Sequence, residues 1–169
     1  MGFGKLGMRE MKDRQEKTNA MRILERNGIP YESFRFETKE AVSGVEAASI
    51  LGQDPGRVFK TLVTKGKSGA YCVFVIPVAK ELDLKKAALA AGEKSVEMIP
   101  QKELFPLTGY VHGGCSPIGM KKQFLTVLDI HAEKQPSILF SAGRIGWQIA
   151  VSPDGLMHVT GCTVADLCR

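Results

Sequence analysis

The chain of 169 residues is 44% hydrophobic and 24% charged, which suits one globular domain large enough to bury a core without disulfides or a metal. Its 23 Lys and Arg outnumber 18 Asp and Glu, leaving a formal charge of +5 that favours polyanionic partners. No apolar run approaches the roughly 18 residues of a membrane span, and the start, MGFGKLGMREMKDRQEK, lacks the apolar stretch and cleavage site of a secretory signal, so a cytoplasmic protein with no membrane partner is expected.

Residues 1–16 read as a flexible tail and 17–169 as a single folded domain. In TNAMRILERNG, Thr18 or Asn19 can cap a short amphipathic helix that Gly28 ends. IPYESFRF at 29–36 alternates in strand fashion, with Pro30 at its beginning or edge. SGVEAASILG follows, where Ser43 and Glu46 match a capping box and Gly52 supplies the stop. After the DPG turn at 54–56, VFKTLV and YCVFVIPV flank a KGKSG turn and should pair as a central hairpin. Asp83 can cap LKKAALAAG, and SVEMIP reads as a short strand leading to a further helical turn near Pro100. A glycine-rich loop, LTGYVHGGCSPIG, precedes three more strands, QFLTVLDI, SILFSAG and GWQIAV. Ser152–Pro153 then opens a last helical region running towards Leu167. This order, with adjacent strands and no steady βαβ rhythm, gives a mixed α/β (α+β) fold.

The lysine inside VFKTLV sets the functional question. On a strand Val58, Lys60 and Leu62 share one face, so Lys60 points among apolar neighbours and must either snorkel outward or face an anion in a cleft. GGCSPIG at 113–119 can offer backbone N–H groups to a carbonyl or phosphate oxygen, and it could equally be a plain turn. Ser116 could be a nucleophile, yet no nearby sequence supplies its base, and His112, His131 and His158 carry no hydrolase signature. His112 with Cys115 is at most half of a metal site, so no metal and no cofactor are expected. Cys72, Cys115, Cys162 and Cys168 are scattered and read as reduced thiols.

Seven segments, KTNAMRILERNGIPY, GVEAASILG, VFKTLV, LDLKKAA, VEMIP, GYVHGGCSPIGMKK and FSAGRIG, resemble in order and spacing the YbaK family of aminoacyl-tRNA deacylases. These are free-standing editing domains related to the insertion domain of bacterial prolyl-tRNA synthetases. The resemblance implies a twisted, largely antiparallel central sheet flanked by helices, with a pocket for the aminoacylated 3′ end of a tRNA. It implies that Lys60 is the required lysine, that Gly113 and Pro117 end the GxxxP loop, and that Ser141 lies on the pocket wall. Thr61, Gly114, Cys115 and Ser116 would contact substrate beside them. Phe36 and Ser43 stand at rim positions where some relatives place aromatic residues.

The implied activity is trans-editing of Cys-tRNA(Pro), in transient company with prolyl-tRNA synthetase. The substrate's own thiol would attack its ester carbonyl, so that positioning supplies most of the catalysis and no enzymic nucleophile is required. A deacylase of another small aminoacyl group, such as Ala-tRNA(Pro), is the neighbouring reading. A non-catalytic module that binds tRNA ends or a synthetase is the reading from another class.

Overall fold

Thr18 starts the first helix, α1 (Asn19–Arg26), by accepting the Met21 N–H on its hydroxyl. The structure, a computed structural model, describes residues 16–169, so all but the last residue of the expected tail lies outside the described residues. Strand β1 (Glu32–Arg35) is shorter than the alternation at 29–36 suggests, because Pro30 has no N–H to give a ladder. Ser43 caps α2 (Gly44–Ile50): its hydroxyl accepts the Glu46 N–H and donates to the Glu46 carboxylate. Strands β2 (Phe59–Gly66) and β3 (Tyr71–Pro77) form the expected hairpin, with Lys60 opposite Ile76 and Leu62 opposite Phe74. Asp83 caps α3 (Leu84–Ala91), accepting the Lys85 and Lys86 N–H groups, and Gly92 ends it in the left-handed region at φ 71°. β4 (Val96–Met98) pairs with the far end of β2.

Two expectations about the later elements need correction. The single turn near Pro100 is in fact a helix of 8 residues, α4 (Gln101–Thr108). Pro106 argues against a helix in sequence, but so close to the helix end it removes only one bond. Strands β5 (Leu125–Asp129), β6 (Ile138–Arg144) and β7 (Trp147–Val151) follow, a 3₁₀ turn at Ile130–Lys134 separating the first two. The last helix, α5 (Pro153–Thr160), stops well short of Leu167, since Gly161 turns left-handed at φ 68°. The chain then adds a short edge strand, β8 (Thr163–Ala165), parallel to β5.

The strands form two sheets, ordered β1-β7-β6 and β4-β2-β3-β5-β8. Four of the six pairings are antiparallel and two parallel, which agrees with the mixed, largely antiparallel fold expected. The main core gathers Phe59, Val75, Leu128, Phe140, Ile149 and Leu156 with the inner face of α1. A second cluster holds Phe74, Ile76, Val127 and Leu167 beneath α3. A third, Ala48, Val58, Val78, Leu139 and Ala150, fastens α2 where the sheets meet. That junction is a single parallel bridge between Val58 and Leu139. Among the described residues no helix is long and apolar enough to cross a membrane.

Asp129 ties the C-terminal segment down. Its fully buried carboxylate accepts the backbone N–H groups of His131 and Leu167, each at 3.0 Å, and lies 2.5 Å from His131 Nδ1. Burial pushes this carboxyl upward, but the donors outweigh it and hold the group below the usual carboxylate range. A carboxylate depressed in the folded state stabilises above its unfolded pKa, near 3.9, and loses that contribution as pH falls through the folded value. Asp129→Asn should therefore cost about 2–3 kcal/mol at neutral pH. It should also flatten the acid limb of a plot of Tm against pH below about pH 4, and parallel limbs for variant and parent would refute the assignment.

Candidate active site

Among the described residues the two sheets share no pairing beyond the Val58–Leu139 bridge, and residues of both line a cavity of about 190 Å³. Phe59, Lys60, Thr61 and Leu62 of β2 form one wall, while Ser141 of β6 and Gln148 of β7 face them. Ser141 and Gln148 are direct cross-strand partners, so both side chains stand on the same face of their sheet. The remaining boundary comes from Phe36 and the residues entering α2, Leu104 of α4, the loop at His112–Cys115, and Ile145–Gly146 in the β6–β7 turn.

Lys60 is half-buried, and among the described residues no carboxylate lies within ion-pair reach of it. No Asp or Glu of the described residues lines the cavity either. Lys60 thus lines the cleft without a carboxylate beside it, and a lone cation in a small, partly apolar recess favours anionic or lone-pair-rich groups. Two further polar atoms, Thr61 Oγ1 and Gln148 Oε1, are buried without a hydrogen-bond partner in residues that line the same cavity. Buried polar groups are ordinarily paired, so orphaned ones concentrated at one cavity mark a place where a ligand or water completes the set.

The glycine loop is anchored from behind. The Tyr110 hydroxyl donates to the Ile118 carbonyl at 2.6 Å, and the Ser116 hydroxyl, wholly buried, accepts the Ile118 N–H. Gly113 is left-handed at φ 85° and faces the cavity, whereas Gly114 packs so tightly on the backbone of Arg144 and Ile145 that a β-carbon there would lie 3.0 Å from Ile145 N. The Gly114 N–H is already bonded to the Val111 carbonyl. Among the described residues the N–H groups of His112, Gly113 and Cys115, all three of which line the cavity, have no such acceptor and remain free to donate.

Of the residues singled out in the sequence, Phe36, Ser43, Lys60, Thr61, Gly113, Cys115 and Ser141 therefore converge on one cavity. Gly114, Ser116 and Pro117 do not line it: they form the buried back of the loop, and Pro117 borders a separate recess. Ser116 has no histidine base in its hydrogen-bonding set.

A model of the aminoacyl-tRNA editing domain matches residues 38–159. The chain belongs to this editing family. A protein of Enterococcus faecalis (strain ATCC 700802 / V583), provisionally named Cys-tRNA(Pro)/Cys-tRNA(Cys) deacylase EbsC, is 46% identical over 157 residues, covering 92% of this chain and 96% of that protein. A solved structure described, also provisionally, as a trans-editing enzyme for prolyl tRNA synthetase superposes with a TM-score of 0.78 at 26% identity, covering 91% of this chain and 99% of the other. The crystal structure of hypothetical protein APE2540 gives the same TM-score, 0.78, at 26% identity over 86% of this chain and 96% of that one.

Two nucleophile or metal readings can be weighed against this editing-domain cavity. Burial pushes the Cys115 thiol up to about 12, a Thr108 hydrogen bond opposing only in part, so it is a neutral thiol at pH 7 and a poor nucleophile. Burial raises Cys72, Cys162 and Cys168 as well. The native protein should thus resist iodoacetamide at pH 8, and Cys115→Ala should keep deacylation within about threefold of the parent. Rapid labelling of Cys115 with loss of activity would reverse that conclusion.

Among the described residues the cluster of metal-type side chains is Asp129, His131 and Cys168, none of which lines the cavity. Its Asp129 Oδ2 and His131 Nδ1 lie 2.5 Å apart, too close for two ligands of one tetrahedral ion with bonds of about 2.0–2.1 Å. His112 and Cys115 share the cavity but have no third ligand of this kind beside them.

Gln148 was missed in the sequence. The available signal was the alternation of WQIAV, which puts Gln148 on the face of buried Ala150 and opposite Ser141.

Proposed function

We propose that this protein is a trans-editing deacylase that clears cysteine from mischarged Cys-tRNA(Pro), with residues 17–169 as the deacylase domain. The observation that carries the reading is a lysine that, among the described residues, has no ion-pair partner, in a cavity with loop N–H donors and orphaned polar atoms but, among the same residues, no nucleophile with a base. The names of the similar proteins support the same substrate class. In this reading the substrate's thiolate sulfur attacks its own ester carbonyl. A carbon–sulfur bond forms, the carbon–oxygen bond to the terminal ribose breaks, the ribose oxygen takes a proton, and cysteine leaves as a thiolactone that water opens.

Lys60 faces the polar and anionic groups of the tRNA terminus. The N–H groups of Gly113 and Cys115 hold the carbonyl oxygen as it gains charge, the term for which fixed donors contribute most. Holding an intramolecular nucleophile in line contributes on the order of 7–11 kcal/mol over the bimolecular reaction. The cavity does not read tRNA sequence, so the protein works in the cytoplasm beside prolyl-tRNA synthetase in a transient association. The test is amino acid release from Cys-tRNA(Pro), Ala-tRNA(Pro) and Pro-tRNA(Pro). Rapid loss of cysteine alone is expected. Preferential loss of alanine would transfer the protein to a sister activity without a substrate thiol, and no release from any of them would leave a binding module.

A further inference from the structure

Strand alternation decides which side chains enter the cavity. Val58, Leu139 and Ala150 pack together where the sheets meet, and two residues along the same strands stand Lys60, Ser141 and Gln148, on the same faces. All three line the cavity, so their side chains rise into it from that shared apolar floor, while Phe140, Ile149 and Trp147 take the opposite face of their sheet.

The hydrogen bonding of these groups differs. Ser141 Oγ accepts the Gly143 N–H at 3.1 Å. Gln148 is half-buried, and its Oε1 is enclosed with no donor among the described residues. A buried oxygen left bare costs stability, so one held on the inner face of a cavity points to a donor that arrives with the ligand.

The chemistry of an aminoacyl ester narrows that donor. Its carbonyl and ester oxygens only accept, and they suit Lys60 and the free N–H groups of the loop. Its donors are the α-amino group, the ribose hydroxyl beside the ester and, more weakly, the thiol. The amino group is mostly charged at neutral pH and makes the strongest of these bonds to an amide oxygen. Among the described residues no carboxylate lines the cavity to compete for it. A neutral carboxamide can also take the amine without forming an ion pair with Lys60.

Resting on the deacylase reading, we propose that Gln148 is the specificity residue for the substrate's α-amino group, its Oε1 accepting an amine N–H. That bond, with the carbonyl oxygen held at the loop, fixes the α-carbon at two of its substituents and so sets the direction of the third, the thiol-bearing side chain.

The test uses RNA hairpins ending in CCA whose terminal ribose carries nitrogen in place of the 3′ oxygen, acylated through a stable amide with either cysteine or 3-mercaptopropionate. The second acyl group is cysteine without its amine. Calorimetric titration at pH 7 should show the parent binding the cysteinyl hairpin about 10–100-fold more tightly. Gln148→Met has similar length and no acceptor, and it should bind both hairpins like the deaminated one while its Tm is unchanged or raised, since an unsatisfied buried oxygen is gone. Gln148→Glu keeps an acceptor and should keep most of the preference. No preference in the parent, a preference that survives in Gln148→Met, or its loss in Gln148→Glu would each overturn the assignment. A Gln148→Met protein whose Tm falls by several degrees as both affinities fall together would make Gln148 a structural residue. If the parent releases cysteine from Cys-tRNA(Pro) yet binds the two hairpins equally, the amine site fails and the deacylase reading stands. If it shows the preference and releases no amino acid, the amine site stands and that reading fails.

Discussion

Lys60→Ala should lower kcat/KM for deacylation at least about a hundredfold while the protein stays folded. The magnitude follows from the site's composition. Among the described residues Lys60 is the only lysine or arginine lining the cavity and no carboxylate accompanies it, so no second side chain of theirs can take over its electrostatic role. The stability effect should be small, because the half-buried ammonium makes no ion pair among the described residues and its removal also removes a desolvated charge. Lys60→Arg is the informative companion. A planar, wider guanidinium with the same charge should recover only part of the rate if the position of one ammonium matters, and most of it if charge alone matters. A Lys60→Ala protein that is folded and fully active would sink the proposed mechanism, whereas one that is unfolded would make Lys60 a structural residue.

What the sequence disclosed depended on how local each signal was. Thr18, Ser43, Asp83 and Ser152 cap their helices with their own side chains within three residues, so the starts of α1, α2, α3 and α5 were readable from short windows. The β2–β3 hairpin was equally local, and it pairs as expected with Lys60 opposite Ile76. The last helix was overrun despite a local stop at Gly161, but the failures that bear on the sheet edge and the site depended on distant partners. β8 is only Thr163–Ala165 and exists because β5 offers it a parallel edge. Gln148 becomes a site residue through Ser141 across a hairpin, and the roles within GGCSPIG divide by contacts from elsewhere, Arg144 and Ile145 burying Gly114 while Gly113 stays on the cavity. The sequence motif identified the loop as a unit and could not tell its working face from its back.

That division leads to the second large effect, at Gly113. Gly113→Ala places a β-carbon at φ 85°, a conformation costing an L-residue about 1–2 kcal/mol, and brings it within 2.6 Å of Ala41 Cβ. Real β-carbons do not approach so closely, so either the loop or the 41–43 segment must move, and both border the cavity: Gly113 directly, Val42 and Ser43 through the chain that leads into α2. Misplacement by about 1 Å in a site that works by positioning can cost about a hundredfold, so kcat/KM should fall by that order while Tm falls by only about 2–6 °C. The two causes can be separated. Ala41→Gly removes the clashing atom and leaves the next contacts, Ala41 Cα at 3.4 Å and Ile145 Cγ1 at 3.8 Å, at ordinary distances. In the double variant, activity should recover by about tenfold while the Tm deficit persists, because the wall returns to its place but the backbone strain remains. If the double variant is as inactive as Gly113→Ala alone, the damage lies in the reoriented peptide groups at 113–115. The proposed donors to the carbonyl oxygen, and not the shape of the wall, would then be what Gly113 protects.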